Sequence, residues 1–577
     1  MQHIYTADPS PLVYNGRVYL YTGHDEDGST TFTMRDWRVS SSSDMVNWTD
    51  HGSPMSLETF SWASSDAWAG QAVHRNGKFY WYVPVRMANG SQAIGVGVSD
   101  SPTGPFRDAI GRPLIQNAEI DPNVFVDDDG QAYLYYGNPN LWYVRLNADM
   151  ISYSGSPTRI PLTTAGFGTR TGDANRPTLY EEGPWVYKRG SLYYNVFAAK
   201  CCSEFIAYST SPGPTGPWTY RGTIMPTQGS SFTNHAGVID FKGGSYFFYH
   251  NGALPGGGGY TRSVAVEKFS YNADGTIPTI NMTAAGAPQA GTLDPYVRQE
   301  AETIAWGSGI ETEPSNEGGR NIGWIENGDH VKVKGVAFGS GAGSFTTRVA
   351  SGTSGGRVEL HLDSPTGPTV GTCTVSGTGG WQTWSTVSCP VTGATGTHDL
   401  YLRFAGGSGY LFNMNWWQFT SGQPAGQTAF SSTAVAQHSG HCLDDPDRST
   451  ADGTQYRQHT CGAGAEQRFD FRPVSEVADT FSLVNQHSGK CLDVGGVSTA
   501  DGAAVNQWTC HGGTNQQFTL RQVAGGDYQL VAVHSGKCVD VSGISTAAGA
   551  LVHQWTCDSA SALATKKNQV WRLAGKS

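Results

Sequence analysis

Five times in its first 250 residues the chain repeats one design, a turn followed by a β-branched and aromatic run. The copies are NGRVYLY (15–21), NGKFYWY (76–82), DGQAYLY (129–135), RGSLYYN (189–195) and GGSYFFYH (243–250). Each reads as the second strand of a hairpin. A shorter apolar strand precedes each one: PLVY, QAVHR, NVFVDD, PWVYK and GVIDF. A spacing of about 50 to 60 residues leaves room for one four-stranded blade per copy, which predicts a five-bladed β-propeller. A sandwich also uses many short strands, but it does not account for a fivefold recurrence. Composition agrees with an all-β chain: 15% charged residues, 75 Gly, and 17 Trp, 26 Tyr and 23 Phe suit strands and turns rather than long helices. The net charge of −11 comes with no basic face, which argues against a nucleic-acid partner. No apolar run approaches the roughly 18 residues needed to cross a bilayer, so no membrane association is expected, and the chain is expected to act as a monomer.

The pattern changes near residue 296. Residues 1–295 are therefore assigned to the propeller, and 296–420, with their own alternating strands, to a single β-sandwich of jelly-roll type. Residues 421–432 (SGQPAGQTAFSS) are small, polar and aperiodic, as a linker would be. From 433 to 577 a threefold repeat takes over: HSGHCLDD (438–445), HSGKCLDV (487–494) and HSGKCVDV (534–541). Three short β-units that cannot bury a core alone predict a β-trefoil. Cys442 and Cys461, Cys491 and Cys510, and Cys538 and Cys557 each stand 19 residues apart, and Cys373 and Cys389 form a fourth pair. Zinc sites want closely spaced ligand pairs, so these read as disulfides and imply an oxidising compartment. Adjacent Cys201 and Cys202 read either as a vicinal disulfide or as two unlinked thiols. The N-terminus shows no signal peptide, and the expectation is a secreted protein in mature form with an added start Met.

Seven or eight positions before each hairpin turn lie Asp8, Trp68, Asp121, Glu182 and His235. Equivalent positions on five blades converge at one mouth of the central channel, so three carboxyls, a Trp and a His are expected around one pocket. A lone Asp-Pro, as at Asp8 and Asp121, is ordinarily a turn; three acids at matching repeat positions point to shared chemistry. Hydrolysis of a glycosidic bond needs such a set: one acid protonates the leaving oxygen, and one ionised carboxylate acts on the other side of the sugar. A third carboxylate helps the acid keep its proton. A multivalent lectin is the competing class of function, and the complete acid set argues against it.

The stretches ADPSPLVYNGRVYLY, IDPNVFVDDDGQAYLY and EEGPWVYKRGSLYY resemble the three acidic motifs of glycoside hydrolase family 43, over roughly residues 3–290. The resemblance implies a five-bladed propeller that hydrolyses with inversion, with Asp8 as general base, Glu182 as general acid, and Asp121 as modulator and orienter of the acid. The family pattern Glu-Gly-Pro selects Glu182 over Glu181. His235 matches a family histidine near the axis, and Arg262 a substrate-contacting arginine; from the residues alone these read equally as a core histidine and a surface ion pair. Trp68 reads as an apolar floor for a sugar or as core packing. Residues 133–155 and 230–263 look like arabinoxylan arabinofuranohydrolases and their xylosidase relatives. That implies α-L-arabinofuranosidase action on arabinoxylan, a plant cell-wall polysaccharide, with a β-1,4-xylosidase or bifunctional enzyme acting on xylo-oligosaccharides as the alternative.

Residues 298–420 resemble carbohydrate-binding module family 6, which implies a sugar clamp of Trp324, Trp381 and Asn413, with Trp384 as fallback for Trp381. It also implies a structural calcium held by Glu300, Glu302 and Asn415, although the family usually has Asp at the last position. The terminal repeats resemble the ricin-type β-trefoil, carbohydrate-binding module family 13. By that likeness repeat two binds sugar through Asp493, Asn506, Trp508 and Asn515, and repeat three through Asp540, His553, Trp555 and Asn568. Repeat one keeps Asp444 but has His459 and Glu466 in place of the aromatic and the Asn, so its site is expected to be weak or dead.

Overall fold

The computed structural model describes residues 3–116, 118–421, 428–474, 479–523, 526–563, 565–574 and 576. The expected added Met1 and half of the expected linker, residues 422–427, lie outside the described residues. The chain divides into two compact units, one carrying the propeller and most of the sandwich, the other the trefoil with residues 338–344 and 390–396.

The propeller consists of five antiparallel sheets, each from a contiguous stretch of sequence apart from one short strand added to the first. The first opens with Thr6–Tyr14 and Arg17–His24, the third with Asn123–Val126 and Ala132–Tyr136, and the fourth with Tyr180–Arg189 and Leu192–Ala199. The fifth blade has three strands instead of the expected four: Gly237–Phe241, Gly244–Asn251 and Ser263–Phe269. Asn15-Gly16, Asn76-Gly77 and Lys242-Gly243 all have positive φ at both positions, the tight reversal that matches strand twist. Each blade buries both faces against its neighbours, and that is why the hairpin strands carry such dense aromatic runs. One apolar cluster joins Tyr21 and Trp37 to Trp81 between blades one and two, and another joins Tyr194 and Tyr208 to Phe247 between blades four and five. Val18 and Leu20 packed on Phe241, Tyr246 and Phe248 close the ring.

In the sandwich, one sheet is ordered Glu311–Pro314, Arg320–Gly323, Asn413–Ser421, Ala342–Ala350, Trp384–Pro390. The other is ordered Trp306–Ser308, His330–Gly339, Gly396–Gly406, Gly355–Leu362, Thr369–Ser376. The short strand Thr303–Ile304 pairs instead with Trp48–Asp50 of blade one, so a sandwich segment extends a propeller sheet. Fully buried Asp50 anchors that junction: it accepts hydrogen bonds from Arg38 (2.9 and 3.1 Å) and Thr312 (2.6 Å), with Arg320 3.4 Å away.

The trefoil starts earlier than expected, because Phe430–Ser432, inside the stretch assigned to the linker, pairs with Phe469–Pro473. Its core repeats the same positions three times: Leu443, Leu492 and Val539, then Phe469, Phe518 and Trp571. Disulfides join Cys442–Cys461, Cys491–Cys510, Cys538–Cys557 and Cys373–Cys389, and the fifth is the vicinal Cys201–Cys202. Among the described residues no helix is long and apolar enough to cross a membrane.

Candidate active site

Irregular backbone aims all three acids: bulges at Asp8 and Glu182, and a left-handed residue just ahead of the strand at Asp121. Strand register slips between Ala7 and Ser10, and again on both sides of Glu182. Asp8 (φ 55°) and Asp121 (φ 61°) take the left-handed conformation, as does Gly183 (φ 61°) directly after Glu182. Bulges of this kind re-aim side chains, and strain of this kind gathers at functional sites. Here the carboxyls turn into one cavity of about 280 Å³ whose walls include Asp8, Trp68, Asp121, Glu182, His235 and Arg262. Glycine suits position 183, because a Cβ there would carry the strain of the left-handed backbone and crowd the His235 ring at 3.1 Å.

Asp8 faces one buried guanidinium and two imidazoles. Arg262 donates to its Oδ1 (3.2 Å), and the Nδ1 atoms of His250 and His235 lie 3.3 and 4.0 Å from the same oxygen. Burial pushes the Asp8 carboxyl up, but the Arg262 charge opposes it most strongly and the group is held far below the usual carboxylate range. Arg262 is fixed in turn by Asp25, which accepts from its Nε (2.9 Å), Nη2 (2.8 Å) and backbone N–H (2.8 Å). His250 donates Nε2–H to the Thr233 carbonyl (3.0 Å) and accepts the Asp8 N–H on Nδ1 (3.2 Å). Burial lowers the His235 imidazole to about 4, so it is neutral near pH 7.

The opposite wall is electrically reversed. Burial pushes the Glu182 carboxyl up; a hydrogen bond from Asn138 opposes this, the charges of Asp8 and Glu181 add to it, and the group rests at about 7. Asp121 accepts the Gly183 N–H (3.0 Å), yet burial and the charges of Glu182 and Asp8 raise it well above the ordinary range. Glu181 points away, as strand alternation predicts, and binds Arg170 and Arg176 (2.6 Å). One cavity therefore holds an ionised carboxylate and a carboxyl that keeps its proton to about pH 7. Cys201 and Cys202 also line it. A trough of about 950 Å³ adjoins, sharing Phe32 and Trp68 with the pocket.

In the sandwich, Trp324, Trp381 and Asn413 line a cleft of about 220 Å³ together with Glu313 and Tyr410. Trp384 is not among its walls and donates instead to Asn316 (2.8 Å). The three residues expected at a calcium differ. The carboxylate of Glu300 lies 3.0 Å from Arg298, whereas buried Glu302 Oε2 and Asn415 Oδ1 have no hydrogen-bond partner. The neighbourhood of the last two follows from strand pairing, since the Ala301 N–H donates to the Asn415 carbonyl (2.9 Å). Unpaired buried oxygens suit a hard cation, so Glu302 and Asn415 fit calcium better than Glu300 does. Among the described residues no group of three or more His, Cys, Asp or Glu side chains is drawn together as for a metal.

In the trefoil, Trp508 and Trp555 are exposed above Asp493 and Asp540. Asn506 lies across the strand pair from Asp493, and His553 bonds Asp540 (2.9 Å) while stacking on Trp555. Asn515 and Asn568, expected to face sugar, are buried and donate to Asp493 and Asp540 (2.8 Å each); they hold the acids in place rather than presenting themselves. In repeat one, Arg457 (2.9 Å) and Gln467 (2.8 Å) occupy the two oxygens of Asp444, and His459 stands where the Trp would be.

The Glycosyl hydrolases family 43 profile matches residues 3–277, and the Carbohydrate binding module (family 6) profile matches residues 300–421. The Ricin-type beta-trefoil lectin domain-like profile matches three overlapping spans, 414–508, 465–555 and 514–577. An arabinoxylan arabinofuranohydrolase of Paenibacillus polymyxa is 37% identical over 488 residues, covering 73% of this chain and 74% of its own. One from Bacillus subtilis (strain 168) is 36% identical over 496 residues, covering 73% and 91%. The crystal structure of a family 43 arabinoxylan arabinofuranohydrolase from Bacillus subtilis, in complex with cellotetraose, superposes with a TM-score of 0.63 at 36% identity, over 73% of this chain and 96% of that one. The chain belongs to glycoside hydrolase family 43.

In this family 43 hydrolase, the fivefold sequence pattern was enough to bring its acids together. It did not reveal Asp25, His250 or Asn138. His250 closes the run GGSYFFYH at the end of a blade strand, so the repeat carried a signal for it. Asp25 and Asn138 lie in loops outside any repeated position, and only the fold brings them in.

Proposed function

We propose that the protein is a secreted, inverting α-L-arabinofuranosidase that removes terminal arabinofuranose from arabinoxylan side chains, held on the polymer by its sandwich and trefoil modules. The observation carrying this reading is the split electrostatics of the pocket, where Asp8 is ionised beside Arg262 and Glu182 is protonated to about pH 7. In this mechanism Asp8 takes a proton from a water as that water attacks the anomeric carbon. Glu182 gives its proton to the glycosidic oxygen on the other side of the ring, and Asp121 helps keep that proton in place beforehand. A cavity of about 280 Å³ lies at the small end of ligand pockets, which suits a single pentose, and the adjoining trough would carry the main chain. The family 43 relatives named arabinoxylan arabinofuranohydrolase support the substrate. Five disulfides support export to an oxidising compartment. Glu302 and Asn415 would hold a structural calcium in the sandwich. Two linked sugar-binding modules raise the local concentration of polymer at the pocket, with the protein acting as a monomer.

The test is to incubate wheat arabinoxylan with the protein and follow the released sugar by proton NMR. Arabinose appearing first with inverted anomeric configuration is expected. Free xylose as the main product would make it a β-xylosidase, and a retained anomer would exclude the mechanism. Glu182→Ala is expected to abolish release while the protein is still retarded on a xylan column; loss of both, or of neither, overturns the separation of catalysis from binding.

A further inference from the structure

Asn138 lines the catalytic pocket and donates its Nδ2–H to Glu182 Oε2. Its loop is held by an unusual number of hydrogen bonds for so short a segment. The Gly137 N–H donates to the Ile120 carbonyl (2.7 Å), and the Tyr180 hydroxyl donates to the Gly137 carbonyl (2.8 Å). Glu119 accepts from the Asn140 backbone (3.0 Å), the Asn140 side chain (2.7 Å) and Trp142 Nε1 (3.0 Å). A Cβ on Gly137 would strike the Asn140 carbonyl oxygen at 1.8 Å, so the loop tolerates no other residue there. Segment 119–121 thus fixes both neighbours of the acid: Asp121 directly, and Asn138 through Glu119 and Ile120.

We propose that Asn138 is a positioning residue for the general acid, oriented to stabilise the Glu182 carboxylate that exists only after its proton has left. This deepens the assignment of Glu182 as acid and rests on it. Before reaction Oε2 accepts the amide N–H, which leaves the proton on Oε1, toward the leaving group. As the C–O bond breaks, its electron pair goes to the glycosidic oxygen, the proton crosses from Oε1 to that oxygen, and a full negative charge appears on Glu182 between Asp8 and Asp121. A hydrogen bond to that charge is worth more than one to the neutral acid, so it favours the late part of proton transfer. The same bond keeps burial from pushing the acid so high that it would not release its proton.

The experiment compares the full-length wild type with Asn138→Ala and with the isosteric Asn138→Asp, which cannot donate when ionised. Each is assayed on arabinoxylan, whose leaving group needs the proton, and on para-nitrophenyl α-L-arabinofuranoside, whose leaving group does not. On arabinoxylan kcat should fall about 10- to 100-fold, with a change under about threefold on the aryl substrate. The alkaline limb of the pH profile should move up by about one pH unit or more in both variants, because the ionised acid has lost its donor. Equal losses on both substrates, or an alkaline limb that stays in place, overturn the proposal. Should Asn138→Ala fail to fold, Asn138→Asp decides alone, since it preserves the loop's volume. Glu182→Gln separates the two levels. Full activity of that variant on arabinoxylan removes the acid itself, whereas an inactive Glu182→Gln beside an unaffected Asn138→Asp removes only this inference.

Discussion

Glutamine at position 182 keeps the shape of the acid and deletes its charge, and its effect on stability follows from the same burial that readies the acid for catalysis. The carboxyl titrates at 4.5 when free and at about 7 in the folded pocket. Between those values the unfolded chain releases the proton and the folded chain keeps it. The stability contributed by the raised group is therefore complete below pH 4.5 and lost as pH climbs through 7. At about 1.36 kcal/mol per pH unit, the difference sets a ceiling of about 3 kcal/mol. Glu182 borders a cavity that water enters, so about 2 kcal/mol is expected. Glu182→Gln should match the wild type at pH 4 and exceed it by that amount at pH 8. Calorimetry of the propeller transition would register roughly 3 °C in Tm at the higher pH. A difference that is the same at both pH values would refute the placement of the raised proton on Glu182, and with it the alkaline limb near pH 7 expected for hydrolysis.

Asp25→Ala removes the acceptor of three hydrogen bonds that buried Arg262 donates. It should cost about 3–5 kcal/mol in urea unfolding and reduce kcat/KM, because a buried guanidinium loses its partner. Trp508→Ala and Trp555→Ala should each weaken retention of the full-length protein on a xylan column, whereas His459→Ala should leave retention unchanged, since repeat one lacks the exposed Trp. Chelation with EDTA should lower the sandwich transition without changing the anomer released, and Asn415→Asp should deepen that dependence by adding a charged oxygen beside Glu302.

Most of the architecture was legible because it is repetitive. A blade cannot bury its faces alone, so five copies of one turn-and-aromatic run specify a ring, and three copies of a Cys-Leu-Asp unit specify a trefoil. Departures came where a residue's partner lies far along the chain. Nothing in Thr303–Ile304 announces that it extends blade one rather than the sandwich. Asn515 and Asn568 look like sugar ligands in sequence, yet the turns that carry them aim them inward onto Asp493 and Asp540. Arg457 is an ordinary surface cation until its cross-strand pairing with Asp444 is known.

Periodicity by itself determined the three folds, the spacing of the disulfides and the meeting of Asp8, Asp121 and Glu182, since equivalent positions in a repeat must face the same axis. Which carboxyl is ionised was decided only in three dimensions. Proton affinity depends on burial and on charges within a few ångströms, and Arg262, His250 and Asn138 reach their acids from 254, 242 and 44 residues away.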